Sequence, residues 1–568
     1  MWETIRVNVK ENTAIRNAVK AEYNGIGGRS MIAQFLTDEV NPKCDPLGVE
    51  NKLIFCTGVF AGTKLSTAHR LSIGGKSPLT GGIKEANSGG DFAYLMAKQG
   101  IRSIIFEDLP SSDNWSVLYI DENGAPTLDS AEGFVGLNTY PLFEKLRIKY
   151  GKDVSIAGIG CGGERQYKIA AVMISEYMTG LPCRAAARGG LGAVMGSKKI
   201  KAIVIAKPAI AFEPSYADKE SFDKACLAFN KGLVDNIGLK GLKDVGTVVN
   251  IDMTSRKAAL PTRNFSGEFS KVAKTLTSDV FLDTLAGQGG SNKHACQPGC
   301  VIHCSNRYHD KEGNYLTGGF EYETIALCGA NLEIGDYDVI AKIDRMCDEL
   351  GVDTMDTGAA IGVCMDNGLL EFGDAEGALS LIQQMNDGTE FGRILGDGCY
   401  ATGTHIGAKR IPTVKKQAIS GYDPRMTKGT GVTYATSPMG ADHTAGLTAA
   451  VPMDGTSKAG QILLSQKIGK ISTLGDSTMC LFAAMGGAAN MPLLFQMYGT
   501  LYGIRPTPEN FFVKLTTATL KLEKDFNRAA GFTDEDDKLP EFFSTERAPA
   551  TGSVFDIAHT DLLTALPF

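Results

Sequence analysis

Residues 76–90 read Lys76-Ser-Pro-Leu-Thr-Gly-Gly-Ile-Lys-Glu-Ala-Asn-Ser-Gly-Gly90, in which two glycine loops flank a short run, and this glycine-rich pattern defines the first part of the chain. It begins at Gly25-Ile-Gly-Gly-Arg29 and continues through Leu53-Ile-Phe-Cys-Thr-Gly58. Glycine adopts left-handed backbone conformations and lets another group approach its backbone closely. We therefore predict a strand-rich first domain whose glycines either form ordinary turns or meet a flat or phosphorylated ligand.

The composition sets the class of protein. The chain has 568 residues, 67 of them glycine, and a formal net charge of -7. This length predicts several domains, and the acidic balance argues against nucleic acid as a partner. The 13 cysteines and the lack of a basic and apolar leader after Met1 indicate reduced thiols in a cytoplasmic protein.

A second glycine cluster reads Ala187-Arg188-Gly-Gly-Leu-Gly-Ala-Val-Met-Gly-Ser-Lys198 and precedes a strand-like run, Ala202-Ile-Val-Ile-Ala206. A dinucleotide-binding unit needs its strand before the glycines, and the Walker order is absent. The cluster therefore favours an unusual anionic ligand over a nucleotide. We place the end of the first domain at residue 208.

Helical patterns dominate the rest of the chain. Asp336 is a predicted cap of a helix that ends at Gly351, and a long amphipathic helix is predicted over residues 509–532. The uncharged stretch 477–504 is long enough to cross a membrane, but its glycines, Asn490 and Pro492 favour a buried helix pair. We predict two mainly helical domains, residues 209–411 and 412–568.

Three thiols stand at four-residue intervals in Cys296-Gln-Pro-Gly-Cys300-Val-Ile-His-Cys304, and Cys480 is a remote fourth. Pro298 and Gly299 inside the run favour a loop over a helix. Four thiolates are the ligand set of a [4Fe-4S] cluster. Two alternatives remain open at this point: inert core thiols, and a zinc site. The histidines that could complete such a zinc site are His294, His303 and His309.

Several strings together resemble the aldehyde ferredoxin oxidoreductase family over nearly the whole chain. They are Gly-Gly-Arg29, residues 76–82, Asn87-Ser-Gly-Gly, the Arg188 cluster, Tyr322-Glu-Thr, Gly421-Tyr-Asp-Pro-Arg, Tyr434-Ala-Thr-Ser and Phe526-Asn-Arg-Ala-Ala-Gly-Phe-Thr. The resemblance implies an α+β fold in which a glycine-rich β-sheet N-terminal domain forms the base for the cofactor. Two mainly α-helical domains would cover it.

The resemblance also implies the cofactors: tungsten or molybdenum held by two pyranopterins (a bis-pyranopterin centre), Mg²⁺ bridging the pterin phosphates, and a [4Fe-4S] cluster. Because pterin sulfurs are the expected metal ligands, the sequence does not choose between tungsten and molybdenum. The matching positions carry the cofactor-binding predictions: Arg70, Asn87, Gly89, Arg188, Asp348, Val352, Asp353, Asp476 and Met479 for the pterins, and Cys296, Cys300, Cys304 and Cys480 for the cluster.

Three departures from the family pattern accompany these matches. The cysteine run has three residues between its first two cysteines where the family usually has two. The turn Asp476-Ser-Thr-Met-Cys480 is one residue shorter than the usual form and lacks its glycine, and Ala445 stands where a basic residue often follows the family histidine. The two changes at the cysteines lie at both ends of one predicted site.

Near the metal, the resemblance places Glu323, Tyr322 and His443. Glu323 would act as general base on water or an aldehyde hydrate, and His443 would donate a hydrogen bond to an oxygen at the metal or to the substrate carbonyl. Glu321 is a competitor for the role of base, because it lies two residues away and an extended segment would present both to one pocket. Cys328 is an alternative metal ligand.

The implied reaction is reversible oxidation of an aldehyde to a carboxylic acid, with electrons leaving through the cluster to ferredoxin or an iron-sulfur subunit. An alternative is the catalytic subunit of a multi-subunit low-potential reductase of the aromatic acyl-CoA type, with which the altered cysteine run and Ala445 are compatible. A non-catalytic electron carrier that binds only the cluster is a second alternative. A homodimer or hetero-oligomer fits any of these functions.

Overall fold

The computed structural model describes residues 1–268, 271–566 and 568, and its first sheet has six strands in the order β2-β1-β6-β3-β4-β5. These strands are β1 (Glu3–Asn8), β2 (Thr13–Ala18), β3 (Leu53–Thr57), β4 (Leu71–Lys76), β5 (Ile83–Ser88) and β6 (Ile101–Glu107). Only β1 and β6 pair in parallel; the other neighbours are antiparallel. The glycine stretch quoted first thus forms the turn into β5 and the edge strand itself.

The second sheet also has six strands, in the order β11-β10-β9-β12-β7-β8. They are β7 (Ser116–Ile120), β8 (Pro126–Ser130), β9 (Val154–Gly158), β10 (Val172–Ile174), β11 (Arg184–Ala186) and β12 (Ile200–Ala206). Its single parallel pair is β7 with β12. The edge strands β5 and β11 of the two sheets contact each other, and this meeting of edges positions the candidate site.

Five helices accompany the sheets: α1 (Gly28–Glu39), α2 (Phe92–Lys98), α3 (Thr139–Tyr150), α4 (Cys161–Glu164) and α5 (Leu191–Ser197). Helices α2 and α5 contact both sheets, and their apolar residues join those of the strands in one core. The outer face of the first sheet packs on α1, and that of the second packs on α3. Apolar residues on both faces of a sheet are expected where helices cover both sides.

Helices make up most of the remaining chain. Those before residue 412 are α6 (Lys219–Asp235), α7 (Lys240–Asp244), α8 (Val249–Arg256), α9 (Ser278–Gly287), α10 (Tyr322–Thr324), α11 (Tyr337–Leu350), α12 (Thr354–Asp366), α13 (Ala375–Asp387), α14 (Glu390–Gly396) and α15 (Cys399–His405). Those after it are α16 (Lys428–Thr436), α17 (Gln461–Thr478), α18 (Leu481–Gly486), α19 (Met491–Tyr502), α20 (Thr517–Ala530), α21 (Phe542–Thr545) and α22 (His559–Leu562).

Two small β elements interrupt the helical part. Strands β13 (Ser291–His294), β14 (Ser305–His309) and β15 (Tyr315–Gly318) form a three-stranded sheet around the cysteine run, and β16 (Thr413–Val414) and β17 (Gln417–Ala418) form a hairpin. A π-helical turn, Ile325–Gly329, follows α10 directly. Such turns often occur at functional sites, and this one directly follows the helix that contains Glu323 and is capped by Glu321.

The predicted fold class is confirmed, since mixed sheets come first and mainly helical segments follow. Asp336 caps α11 through Asp338 N at 2.8 Å, and Gly351 ends the helix with φ +73°, both as predicted. The single helix predicted over residues 509–532 is wrong, because Thr516 leaves the helical region before α20 begins and its hydroxyl binds Phe512 O at 2.6 Å.

The uncharged stretch 477–504 folds as the end of α17 followed by the two short helices α18 and α19. This agrees with the predicted helix pair. Within residues 1–268, 271–566 and 568, none of the helices combines the length and the apolar character that crossing a bilayer requires.

Candidate active site

A cavity of about 360 Å³ lies where the edge strands β5 and β11 meet the helical part of the chain. Its wall includes β5 residues from Glu85 to Ser88, the strand β11, the start of α12 and the beginning of α18. Nearly all residues predicted from the sequence line it. The exceptions are Cys300 and Met479, which are buried behind the wall.

Glu323 is held at one side of this cavity by α10. Its Oε2 accepts a hydrogen bond from Gly421 N at 2.7 Å, while Oε1 lies 3.4 Å from His443 Nδ1. Oε1 is buried and has no hydrogen-bond partner among the described residues. Burial raises the pKa of Glu323, while His443, the Gly421 N–H and Arg188 act against that rise. A carboxylate with one anchored and one unpartnered oxygen can accept a proton from a molecule in the cavity.

Gly421 connects Glu323 to Tyr322. The Tyr322 hydroxyl donates to Gly421 O, and the Tyr322 ring lies 5.0 Å from that of Tyr422. A Cβ on Gly421 would lie 3.1 Å from Glu323 Oε2 and 2.8 Å from Ala326 Cβ, so a side chain there would displace the carboxylate. Tyr322 is 1% exposed and therefore acts on Glu323 through this backbone contact.

His443 faces Glu323 from the loop after α16. Its Nδ1 is 3.3 Å from Ser420 Oγ as well as 3.4 Å from Glu323 Oε1. The other ring nitrogen has no hydrogen-bond partner among the described residues. With Nδ1 engaged by Ser420 and Glu323, Nε2 is the nitrogen left to interact with a ligand.

Glu321, the predicted competitor, also lines the cavity but faces a different group. Its carboxylate accepts from Thr247 Oγ1 at 2.5 Å and lies 3.7 Å from Arg184 Nη1. Cys328 lies outside the cavity wall, where its thiol contacts Thr354 O at 3.4 Å and packs against Gly358. The geometry therefore favours Glu323 over Glu321 as the base and gives Cys328 a packing role.

Arg188 reaches the cavity from the loop after β11. Its guanidinium contacts Asp353 at 3.2 Å and Asp356 at 3.3 Å, and it donates to Ala418 O and Ala441 O, each at 2.7 Å. Burial opposes its charge, but the carboxylates of Asp353, Asp442 and Asp356 raise the pKa of Arg188 overall. Arg188 thus fixes the start of α12 against the loop that carries His443.

Arg70, Asn87 and Gly89 lie together at the end of the first sheet. Arg70 Nε donates to Asn87 Oδ1 at 2.5 Å, and a Cβ on Gly89 would lie 3.2 Å from Arg70 Nη1 and from Cys296 O. Arg70 forms no ion pair with any residue that the structure describes. A cavity-lining guanidinium without a carboxylate partner suits a phosphate or another anion.

The predicted pterin turn at residues 348–353 is formed by the end of α11 and the cap of α12. The Asp353 carboxylate is already engaged by protein groups, because it accepts a hydrogen bond from Met355 N at 2.9 Å and pairs with Arg188. The Asp348 carboxylate makes no hydrogen bond or ion pair with another described residue, and burial raises its pKa. Val352 is held by a backbone bridge to Ala170. Asp348 is therefore the member of this turn that is available to a ligand.

The second predicted turn is the last turn of α17 rather than a separate loop. Asp476 lies in that helix and pairs with Arg29 at 3.2 Å, and burial raises its pKa to about 6. Met479 is 1% exposed and packs in the hydrophobic core behind the cavity. A direct contact of the Met479 side chain with a ligand is thus not supported, whereas Asp476 lines the cavity.

The cysteine loop, residues 296–304, begins with a tight turn. Cys300 N donates to Gln297 O at 3.3 Å, and Gly299 has φ +74° after Pro298. Proline at the second position and a left-handed glycine at the third define a type II turn. The extra residue relative to the usual family spacing is therefore absorbed by Pro298 and Gly299, so that Cys296 and Cys300 remain adjacent.

Thiols from the loop and from Cys480 meet beside Arg70. Cys480 N donates to Thr67 O at 3.1 Å, and Gly90 N donates to Cys296 O at 2.8 Å, so both ends are tied to the first sheet domain. The Cys300 thiol, Arg70 and Arg184 lower the pKa of Cys296 although burial acts against this, whereas the pKa values of Cys300, Cys304 and Cys480 are raised. A thiolate is the form that binds metal.

Orphaned polar atoms surround these thiols. Thr67 Oγ1, His69 Nε2 and both amide atoms of Gln297 are buried without a partner among the described residues. Buried polar atoms normally have partners, and hydrogen bonds to cluster sulfurs are common. These atoms therefore fit an iron-sulfur cluster held by the four cysteines.

A zinc site is not supported. Within the described ranges, no group of three or more His, Cys, Asp or Glu side chains is arranged to hold a single metal ion. In a cluster the four thiolates bind different irons and need not converge on one point. His294, moreover, contacts Ser291 Oγ at 2.7 Å, and His303 is exposed.

The sequence reasoning missed Arg184. This residue lines the cavity, contacts Glu321 and donates to Ser305 Oγ between the thiols and the acidic residues. Side chains at alternating positions of an extended strand share a face. Arg188, however, lies in the turn after β11, and the cavity wall includes Ala185 and Ala187 but not Ala186, so strand alternation from Arg188 would not have found Arg184.

Several glycines of the predicted ligand loops pack closely against other parts of the protein. A Cβ on Gly28 would lie 2.1 Å from Asp476 O, and one on Gly190 would lie 2.3 Å from Lys168 O. On Gly189 it would lie 2.5 Å from the aliphatic part of Lys84, whose ammonium binds Asp442 at 2.8 Å. Among the glycines of the predicted ligand loops, only Gly89 lines the cavity.

Two family models together match most of the chain. The family model for the aldehyde ferredoxin oxidoreductase N-terminal domain matches residues 4–207, and that for domains 2 and 3 matches residues 224–566. A tungsten-containing aldehyde ferredoxin oxidoreductase of Pyrococcus horikoshii is 33% identical over 465 residues, which are 77% of this chain and 73% of the relative. One from Pyrococcus furiosus is 29% identical over 555 residues, which are 92% and 88% of the two chains.

The chain is also similar to one relative with a different described activity and to one solved structure. The WOR-like subunit of an aliphatic sulfonate oxidoreductase of Pyrococcus furiosus is 26% identical over 583 residues, covering 95% of this chain and 88% of the relative. Among solved structures, the active-site complex BamBC of benzoyl coenzyme A reductase with 1,5-dienoyl-CoA aligns with a TM-score of 0.79 at 18% identity, covering 95% of this chain and 90% of that one. This last likeness concerns the fold.

Proposed function

The chain belongs to the aldehyde ferredoxin oxidoreductase family, and we propose that it oxidises an aldehyde to a carboxylic acid and delivers the electrons to ferredoxin. One observation carries the proposal. The cavity that contains the Glu323–His443 pair is also lined by Cys296, Cys304 and Cys480. A proton-accepting group and an electron exit therefore share one chamber, as an oxidation coupled to electron transfer requires.

The residues that would hold the cofactors follow from the site. We assign Arg70, Asn87, Gly89, Arg188, Asp348, Val352, Asp353 and Asp476 to a tungsten bis-pyranopterin with its bridging Mg²⁺, and Cys296, Cys300, Cys304 and Cys480 to a [4Fe-4S] cluster. The unpaired Arg70 guanidinium and the orphaned Gln297 amide support these assignments. When bound, the metal supplies two-electron chemistry and the cluster supplies a one-electron relay.

The protein itself would manage the proton and the developing charge. Glu323 Oε1 is unpartnered and its pKa is raised by burial, so it can take a proton from water or from the aldehyde hydrate. His443 Nε2 would donate to the substrate oxygen, on which negative charge develops. Overall, one aldehyde and one water yield a carboxylic acid, two protons and two electrons.

Tyr322 and Gly421 would position the base. The Tyr322 hydroxyl holds Gly421 O, and Gly421 N holds Glu323 Oε2, so the carboxylate cannot rotate freely. A fixed base near the reacting proton contributes to the rate because the correct geometry is present before reaction. We therefore class Tyr322 as a positioning residue.

Metal content and substrate range test the proposal together. Anaerobically purified protein should contain one tungsten per chain and about four irons, and it should reduce a viologen with at least one member of a panel of aldehydes. Protein with iron but no tungsten or molybdenum would instead be an electron carrier, which would refute the enzyme assignment.

A second candidate is the catalytic subunit of a multi-subunit reductase. The similarity to a relative described as a subunit, over 95% of this chain, favours it. If the protein oxidises none of the aldehydes and copurifies with an iron-sulfur subunit, the result would support this alternative and contradict the assignment as an aldehyde oxidoreductase.

A further inference from the structure

One exposed face of the protein lies directly over the cysteine loop. It consists of side chains on and after α6, one residue of the first sheet domain and the two exposed positions of the loop itself. We call it the α6 face and define it by Lys64, Leu227, Val234, Ile237, Gly299 and His303.

A short chain of contacts joins this face to the thiols. Asn230 of α6 accepts from Ser66 N at 2.9 Å and donates to Lys64 O at 3.1 Å. Ser66 Oγ in turn accepts from Val301 N at 3.1 Å, inside the cysteine loop. On the buried side of α6, Phe229 belongs to the same core as Cys300. The side of α6 that carries Asn230 is therefore linked to the cysteine loop through Ser66.

The centre of the α6 face is apolar and open to solvent. Leu227 is 72% exposed, Val234 is 54% exposed and Ile237 is 85% exposed. Leu227 and Val234 lie seven residues apart on one helix, which places them on the same side. Grouped exposed apolar side chains commonly mark a surface that another protein covers.

Most lysines on and beside α6 are paired with an acidic residue, but two lysines next to the apolar centre are not. Lys64 is exposed and has no carboxylate within ion-pair distance among the described residues. Lys243 lies at the other end of α6, where its ammonium donates to Leu233 O at 2.9 Å and Val234 O at 2.5 Å, also without a carboxylate partner in the described chain. Lys231 is neutralised by Asp235. Lys64 and Lys243 are thus cations without a carboxylate partner in the described chain, beside an apolar centre, in a protein whose net charge is -7.

From these observations we infer that the α6 face is the docking surface for a small acidic electron-carrier protein. The inference rests on the proposed function, because it concerns where the two electrons from each aldehyde leave the chain. They would pass one at a time to the carrier, reducing two one-electron clusters per aldehyde, while the two protons go to solvent. Opposite charges raise the rate of encounter, and the apolar centre holds the complex.

Substitutions on this face test the inference. Two variants are compared with the wild-type holoenzyme: the double variant Leu227→Gln/Ile237→Gln, and Lys64→Glu. Each is assayed for reduction of methyl viologen and for reduction of a purified acidic low-potential ferredoxin. Each change should raise the KM for ferredoxin about tenfold or more at low salt, with the viologen rate unchanged. High salt should reduce the effect of Lys64→Glu because screening weakens surface charges.

Matched controls lie on α3. Ile148 is 78% exposed, and Lys152 just beyond the helix is exposed and unpaired among the described residues. Ile148→Gln with Lys152→Glu should leave both assays at wild-type values. If ferredoxin KM is the same in all variants, or if the control variants raise it equally, the α6 face is not the docking surface.

Two further measurements separate this inference from the proposed function. Ferredoxin binding to the holoenzyme is measured by titration calorimetry without an aldehyde, so a weakened complex supports the face whatever the substrate is. The mass in sedimentation is measured as well. If the substitutions dissociate a dimer and leave ferredoxin affinity unchanged, the face joins two copies of this chain and the inference is wrong.

Discussion

Glu323 Oε1 lies 3.4 Å from His443 Nδ1, while the second oxygen of the same carboxylate is held 2.7 Å from Gly421 N. The two side chains come from segments more than a hundred residues apart in the sequence, α10 and the loop after α16. One oxygen of Glu323 is thus fixed and the other is left for chemistry.

The pH profile of turnover should reveal the environment of Glu323. Burial raises its pKa, and a general base acts only when ionised, so the acidic limb of kcat/KM should lie above the ordinary glutamate pKa of about 4.3. His443 opposes this rise, so His443→Asn should move the limb to still higher pH as well as lowering the rate. A limb at the ordinary value in both proteins would show that another group is the base. The measurement is kcat/KM against pH with viologen as acceptor.

The turn at Gly299 should control cluster loading. Alanine there must adopt φ near +74°, which costs about 1–3 kcal/mol, although a Cβ would meet no atom within 4 Å. Asparagine tolerates this conformation better. Gly299→Ala should therefore lower the iron content and the cluster's paramagnetic resonance signal more than Gly299→Asn does. Equal iron in both variants and the wild type would mean that the turn is not needed. Gly287→Ala, on α9 with open space and an ordinary φ, is the control.

Arg29 should be a main link between the first sheet domain and the C-terminal helices. It binds Glu523 through two bonds of 2.8 and 2.9 Å and Asp476 at 3.2 Å, and it is 1% exposed. Removing one partner of a buried ion pair leaves the other charge uncompensated and costs about 3–5 kcal/mol. Arg29→Met should lower the apparent unfolding temperature clearly.

Exposed Arg528 on the same helix as Glu523 offers a comparison for that experiment. Arg528→Met should change the unfolding temperature little, because exposed substitutions usually stay within about 0.5 kcal/mol. If both variants unfold at the same temperature as the wild type, the Arg29 network is not a stability determinant.

Asp91 should make stability depend on pH. Burial raises its pKa to about 6, while the hydroxyls of Ser155 and Ser175 act against this. Because the folded pKa lies above the unfolded one, the stability that Asp91 contributes is complete below about pH 4. It is lost as the pH rises through 6, by up to about 3 kcal/mol. Asp91→Asn should reduce the fall in unfolding temperature between pH 4 and pH 7, whereas exposed Asp283→Asn should not. An unchanged fall in the Asp91 variant would contradict the assignment.

The sequence allowed the fold class to be predicted, and most of the residues proposed for the site line one cavity. Glu323, His443 and the four cysteines stand in short strings with a recognisable order, so they could be proposed as site residues without geometry. Asp336 and Gly351 could be assigned as helix ends because capping depends on local sequence.

Contacts between distant segments could not be predicted in this way. The sequence does not show that Lys84 would bind Asp442 or that Gly189 makes room for the Lys84 side chain, since each contact joins separate elements. The same limit explains the long helix wrongly predicted over residues 509–532, where a local hydroxyl contact at Thr516 competes with helical hydrogen bonding. Because such contacts cannot be read from the sequence, glycines that pack against other segments were predicted to form ligand-binding loops.

The most direct measurement of the central claim is the turnover of Glu323→Gln with its metal content determined on the same sample. Glutamine keeps the size of the side chain and can still accept from Gly421 N, but it cannot take a proton. We predict tungsten and iron contents equal to those of the wild type and a fall in kcat/KM of about 10²–10⁴ for aldehyde oxidation. Wild-type turnover in this fully loaded variant would contradict the assignment of Glu323 as the base.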